Sequence, residues 1–569
     1  MLAVGWCALW PGVSHAGWTP LAHTAPNGVG LMLLLPDGSV MAASRQTDPN
    51  EVPLSSGSKI WYRLTPDNQG SYVNGTWTTL TSSAGTRLWY SSQILNDGRV
   101  FVAGGEYGTG GSSAEIYDPR TNAWTTPPAP GVFLSDSISK VLPNGTVLVA
   151  PASGSVTTIY DPIGNSWSNG PMPINPANQN EVTWLRLPDD SILTVPTNSL
   201  TSQRFIPSTN SWVADANVGV NLYSSVGSEV GGAFLLDNGE ALYIGGDNTT
   251  AIYTPSYNAS PGSWRAGPTI PNVKNASGTL VPAGAPDAGA CMMVNGQILC
   301  TFSPQMFPNP LFPGMSQPQN IFPTPTSFAI YDRGTNTFTK IDGPTGETVN
   351  VPSFQNLMLA LPSGEVLYTN WGTQLYVYSP AGPPAPLASG KPTIQAIKPN
   401  TNSSFHLSGT KLSGISEGAS YGDDAQMETN FPIIRLTDIN GYKYYATTHH
   451  WSSRGVQTGN AVVTTEFDLP TSVLFGGPIN YSLVVVANGI ASDPVNFTGP
   501  TWVDFNFVSF PLFTEDGSFV TPYNTLPEGV SAAPIGGLVN FKAGSSNWNG
   551  TVNKPLTFHA FGGPVTIGQ

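Results

Sequence analysis

The sequence is poor in charge, in cysteine and in histidine. Only 10% of its 569 residues are Asp, Glu, Lys or Arg, so long surface helices knit by ion pairs are not expected. Its 21 Lys and Arg are scattered singly within a net charge of -14. No basic stripe results, and nucleic acid is not an expected partner. No segment reaches the roughly 18 to 20 apolar residues of a membrane-spanning helix, so no transmembrane segment is expected. Between His23 and His406 there is no histidine, and no metal-spaced His/Cys cluster or Gly-rich phosphate loop occurs. What is plentiful is Gly (62) and Pro (53), with Ser, Thr and Asn in the polar positions. That composition and length mark an all-β chain of two or three domains.

Leu2 to Val13 is apolar, and Ser14-His15-Ala16 offers small residues where a signal peptidase reads. Residues 1–16 are therefore read as a signal peptide and the mature chain as secreted or held at the cell surface. Two cysteines remain, Cys291 and Cys300, flanking Asn295-Gly296. Read as a two-residue type I′ hairpin turn, Asn-Gly pairs Val294 with Gln297 and, further out, Cys291 with Cys300. That register predicts a cross-strand disulfide, with two packed thiols as the alternative.

The strongest signal is internal repetition. Leu-Pro-Asp37-Gly38, Leu-Asn-Asp97-Gly98, Leu-Pro-Asn144-Gly145, Leu-Pro-Asp189-Asp190, Leu-Asp-Asn238-Gly239, Val-Asn295-Gly296 and Leu-Pro-Ser363-Gly364 recur 45 to 68 residues apart between short apolar runs. Each reads as a tight hairpin, and the spacing suits one four-stranded blade. Tyr117 and Trp124, Tyr160 and Trp167, Phe205 and Trp212, and Tyr331 and Phe338 stand seven residues apart. The pattern resembles the kelch repeat over Gly17 to Pro380. It predicts a seven-bladed β-propeller over residues 17–388, with most Trp and Tyr serving as packing. The seventh blade lacks its Trp strand, and Gly17-Trp18-Thr-Pro-Leu21 supplies one, so the N-terminal segment is expected to close the ring. The Pro-rich stretch Ser303 to Pro325 is read as a surface loop.

After a linker at Ala381 to Pro386, residues 389–500 read as an immunoglobulin-like (early-set) β-sandwich. Alternation in Ile433 to Leu436, Val462 to Phe467 and Tyr481 to Val486 supports half-buried strands. Residues 501–569 form a short C-terminal β segment whose Gly536-Gly537, Lys554 to Phe558 and Gly562 to Gly568 resemble the initial turns of parallel β-helix proteins. A kelch propeller followed by such a domain resembles the galactose oxidase and glyoxal oxidase family. The C-terminal likeness rests on Gly418-Ala-Ser-Tyr-Gly-Asp-Asp424, Ala446-Thr-Thr-His-His450 and Leu483 to Ser492.

The resemblance implies one copper held by two Tyr and two His, one Tyr being thioether-linked to a Cys. Most of that set is unmatched. Phe354 and Gln355 stand where the family has its Tyr-His pair, and Trp89 stands in the place of the cross-linking Cys. Only His449 or His450 matches the His that the C-terminal domain inserts along the propeller axis. No cofactor is expected, since a lone imidazole is a poor copper site. Asp189-Asp190 and Asp423-Asp424 read as turn residues. The expectation is a monomeric, non-catalytic binding or scaffold protein with an extracellular glycan or cell-surface polymer as partner. Its ligand-binding candidates are Trp89, Tyr90, Phe354, Gln355, His449, His450, Trp451 and Arg454. The alternatives are a copper-dependent oxidase of primary alcohols or aldehydes with a rearranged site, and an extracellular hydrolase.

Overall fold

The computed structural model describes residues 17–45, 57–151, 156–175, 179, 181–197, 199–257, 260–308, 320–380, 385–420, 425–510 and 514–568. The expected signal peptide and Asp423-Asp424 lie outside the described residues.

All seven recurring turns close a hairpin in one way. The first residue donates its N–H to the carbonyl four residues on, as Leu35 does to Ser39 and Leu95 to Arg99. The residue three on donates back, Gly38 to Leu35 and Gly98 to Leu95. This is a type I turn followed by a left-handed residue, with φ of 75° at Gly38 and 87° at Gly98, where Gly carries no steric cost. Asp190 takes the same position at φ 64°. Side chains lock the turn: Asp37, Asp97, Asn144, Asp189, Asn238 and Asn295 each accept from the backbone N–H two residues on.

Strands flanking these turns build six four-stranded antiparallel sheets. Five follow in chain order and are called the first to fifth blades. They run from Val29–Leu34 to Thr76–Thr79, from Ser91–Ile94 to Ala123–Thr125, from Ser137–Val141 to Ser166–Asn169, from Leu185–Arg186 to Ser211–Asn217, and from Val230–Leu235 to Ser263–Ala266. The last blade joins Leu357–Ala360, Val366–Thr369 and Tyr376–Ser379 to the N-terminal strand Gly17–Pro20, with Trp18 opposite Tyr378. Between the fifth and last blades, Ala290–Met292, Ile298–Pro304, Thr326–Asp332 and Thr337–Ile341 pair in the same order within a seven-stranded sheet. That sheet also takes Ala419–Ser420 onto its inner edge, Ser420 opposite Ala290.

The seven-residue aromatic spacing has a direct cause. Tyr117 pairs with Trp124 across the two outer strands, and Tyr160 with Trp167. Their ring centroids are 5.1 and 5.0 Å apart. Between them Asn122 and Asn165 turn the chain at φ 53° and 47° and accept from the Tyr hydroxyls. Each outer Trp then reaches the preceding blade. Trp124 Nε1 donates to Thr81 O, Trp167 to Pro128 O, Trp212 to Pro171 O, Trp77 to His23 O and Trp18 to Asp342 O. The indole fills the widening wedge and its N–H staples two sheets.

The expected disulfide is absent: Cys291 and Cys300 are free and buried. Because the turn is type I with a left-handed Gly296, Cys300 lies opposite Ala290 and Cys291 opposite Leu299. A one-residue shift of register puts the two thiols on opposite faces of the hairpin. Cys291 packs in the cluster shared with the first and last blades, Cys300 in that shared with the fifth.

Behind the ring, eight strands from Thr393–Pro399 to Val495–Thr498 form one curled sheet. It closes on Phe405, Leu407, Ile434, Phe467, Leu483 and Phe497. The alternating segments singled out above fall on its strands Ile433–Thr437, Val462–Asp468 and Asn480–Ala487. Thr501–Val503, Leu538–Ser546 and Thr557–Ile567 then make a parallel three-stranded sheet, with the helix Leu526–Ala532 capped by Thr525. No helix among the described residues is long and apolar enough to cross a membrane.

Candidate functional site

The ring has two unlike ends. At the base, where the hairpin turns lie, the C-terminal half covers it. Tyr445 sits on Gly38 and Gly489 on Gly364, and Gln457 Nε2 donates to Leu236 O. At the other end, the mouth, the inner strands begin.

Residues 415–420 and 425–431 of the C-terminal half lie between them along the axis. Gln426 Oε1 accepts from Ser92 N at 3.1 Å and Ser139 Oγ at 3.3 Å, and Ser420 Oγ accepts from Ala233 N. Lys140 Nζ meets Glu417 at 2.8 Å and also Glu428. Arg186 and Arg454 lie 3.6 Å from Glu417 and Glu428. All five side chains are buried, and Arg186 also meets Asp190 at 2.8 Å, so three cations face three carboxylates.

The sequence-derived candidates divide between the two ends. Trp89, Tyr90, Phe354 and Gln355 stand at the mouth. His449, His450, Trp451 and Arg454 stand at the base, because the hairpin that carries them docks under the second blade rather than entering the axis. Trp451 N donates to Asn96 O, its ring stacks on Phe431 at 4.6 Å, and Arg454 donates to Ile94 O. Trp451 and Arg454 are 3% and 2% exposed, which makes them parts of the docking seam. His449 and His450 share an Nδ1···Nδ1 hydrogen bond of 2.6 Å, and His449 Nε2 lies 3.2 Å from Asp468.

At the mouth the aromatic residues meet. Trp89 lies 5.3 Å from Trp371 and 6.2 Å from Phe354, and Phe354 is 5.2 Å from Trp371 and 5.0 Å from Phe322. The Arg45 guanidinium covers Trp371 at 3.5 Å from the ring centroid. All five are only half-buried, so faces and edges reach solvent. Trp89 and Trp371 hold φ of 49° and 66°, a conformation bulky residues seldom adopt. Tyr90 is buried beneath, and that burial pushes its phenol well above the usual range despite Arg87 and Arg45. Copper does not fit at the family's ligand positions: Trp89, Phe354 and Gln355 stand there, burial keeps the neighbouring Tyr90 phenol from ionising, and His449 and His450 are at the base.

The repeat reading passed over a set of carboxylates beside these rings. Asp136 and Glu229 immediately precede the inner strands Ser137–Val141 and Val230–Leu235, and Glu181 and Asp287 stand a few residues before those of their own sheets. Glu106 is held against the platform, its N–H donating to Leu88 O and Trp89 O. Single carboxylates at the head of successive inner strands were a usable signal, since a propeller turns one repeat position into one ring.

A kelch motif matches residues 95–131, the second blade from its hairpin turn onward. No curated protein matches the chain. Among solved structures, similarity is found to a fungal alcohol oxidase of the AA5 family in complex with copper. It is 14% identical, covers 85% of this chain and 100% of its own, and has a TM-score of 0.49. A streptogramin B lyase is 10% identical over 64% of this chain and 97% of its own, with a TM-score of 0.41. The kelch motif falls in one of six four-stranded sheets that repeat its hairpin turn, so the fold is a propeller-like arrangement that carries a kelch motif.

Proposed function

We propose that the chain is a secreted or cell-surface binding protein that takes carbohydrate at the propeller mouth and carries out no oxidation there. The larger sheet is counted as a seventh blade, a reading supported by Trp18, which staples it to the last blade through Asp342. The curled sheet is read as an immunoglobulin-like domain, supported by its single two-sided core. The observation that carries the function is the half-exposed platform of Trp89, Phe354 and Trp371 under Arg45. Sugar rings present C–H faces that stack on such rings, while Gln355 and Arg45 supply hydrogen-bond donors.

A glycan array run beside copper loading tests this. Trp371→Ala is expected to weaken a detected glycan at least tenfold while the melting temperature of the chain is little changed. Stoichiometric copper surviving gel filtration, with peroxide formed from a primary alcohol, would falsify it. One observation favours a second reading, an extracellular hydrolase. Burial, and then the charge of Glu181, push the Glu106 carboxyl up to about 7, the range of a proton donor. Release of reducing sugar from the bound glycan, lost in Glu106→Gln, would establish that reading instead.

A further inference from the structure

Two groups of carboxylates, all buried except the half-buried Glu181, lie along the axis of this ring. They are balanced differently. Glu417 and Glu428, lower down, face Lys140, Arg186 and Arg454. At the mouth, Glu181, Glu229 and Asp287 bring carboxylate oxygens from three successive sheets within 4.8 Å of one another. Asp287 is 6% exposed, shares a hydrogen bond with Glu229, and is acted on by the charges of Glu181 and Glu106.

Asp136 adds an independent observation. Its side chain is 3% exposed, and its Oδ1 is buried without a hydrogen-bond partner. The charges that act on it are Glu181, then Glu106, then Asp287, so the carboxyl lies within electrostatic reach of the cluster. Among the described residues, neither Asp136 nor Asp287 has a lysine or arginine within salt-bridge distance. A buried carboxylate oxygen left without a donor is costly, and it is compensated by a proton or by a cation.

We propose that Glu181, Glu229 and Asp287, with Asp136 behind them, form a binding site for one calcium ion at the mouth of the ring. The donors are all oxygens, which selects a hard cation over zinc or copper. They come from three sheets at positions set by strand geometry rather than by a compact loop, and calcium tolerates irregular coordination where magnesium demands a near-ideal octahedron. Bound there, the ion ties three neighbouring sheets together beside the aromatic platform. The inference does not depend on the glycan reading, because it concerns the ion alone.

The test is calcium titration of chelator-treated full-length protein, followed by calorimetry and by thermal melting, with no glycan present. About one equivalent is expected to bind with a dissociation constant of about 1 mM or tighter, in the range of extracellular calcium sites, and to raise the melting temperature. Glu181→Gln and Asp136→Asn are expected to weaken binding at least tenfold. Without calcium these variants should melt no lower than the parent, since each removes like-charge repulsion. Absence of both heat and melting shift at about 5 mM calcium overturns the proposal. So does calcium binding unchanged in both variants, and so does a stoichiometric site that takes zinc or copper but not calcium.

Discussion

Cys291 and Cys300 show how much one residue of register decides. On opposite faces of one hairpin they cannot bond, and burial pushes both thiols far above the pH at which a reactive thiolate forms. Iodoacetamide is therefore expected to leave the native protein unlabelled and to add two labels after denaturation without reductant. A mass corresponding to an intact disulfide in the folded protein would contradict the pairing of Cys300 with Ala290. The aromatic side chains make the same point at the mouth. Trp89 and Phe354 were singled out because they stand at ligand positions of the resembled family, but Trp371 matches no such position, although it lies against both. Its ring could be placed only in three dimensions.

The element that joins the two halves of the molecule is the axial stretch of residues 415–420 and 425–431. Its buried network makes it sensitive to single changes in a way that surface ion pairs are not. Lys140→Met would leave Glu417 and Glu428 facing each other, and is expected to cost about 3–5 kcal/mol, read as a lower urea midpoint. The network also ties stability to pH. Burial raises the Glu428 carboxyl, but Lys140, Arg454 and Arg186 outweigh it, so its titration lies below the ordinary value of 4.5. A carboxylate depressed in the folded state contributes stability that is fully present above that ordinary value. The contribution is lost as pH falls through the lowered one. Urea midpoints measured from pH 6 downward should thus fall below about pH 4.5 in the parent, and should fall less in Glu428→Gln. An identical acid profile in the two proteins would remove Glu428 from the account.

For the whole molecule, stability depends on a closed ring. The outer strand of the last blade is the N-terminal segment Gly17–Pro20. Its Trp18 contacts Phe328, Tyr368 and Tyr378 and donates to Asp342 O. Removing it opens an edge and frees a wedge between two sheets. Trp18→Ala is expected to cost about 3 kcal/mol. Deletion of residues 17–25 is expected to lower the melting temperature of the entire propeller rather than to release one blade. A second, independent transition for the last blade would count against closure by this strand.

The turns and the aromatic spacing were legible in the chain because each depends on neighbours a few residues away, and the closing strand was legible because the last repeat lacks one that Gly17–Pro20 supplies. Asx side chains and a left-handed glycine define the hairpin, and the seven-residue aromatic pair follows from one cross-strand contact. Two readings failed where a local pattern has more than one solution. Asn-Gly suits both a type I′ turn and a type I turn with a bulge, and the choice sets the face of every residue beyond it. The His pair matched a family motif, yet which C-terminal hairpin enters the axis is settled by docking against the ring, where Gln426 and Glu428 satisfy buried polar groups. The carboxylate cluster left only a faint trace in the sequence, single acids ahead of successive inner strands, for the same reason. Asp136, Glu181, Glu229 and Asp287 are far apart in the chain and individually ordinary, and only closure of the ring brings their charges together.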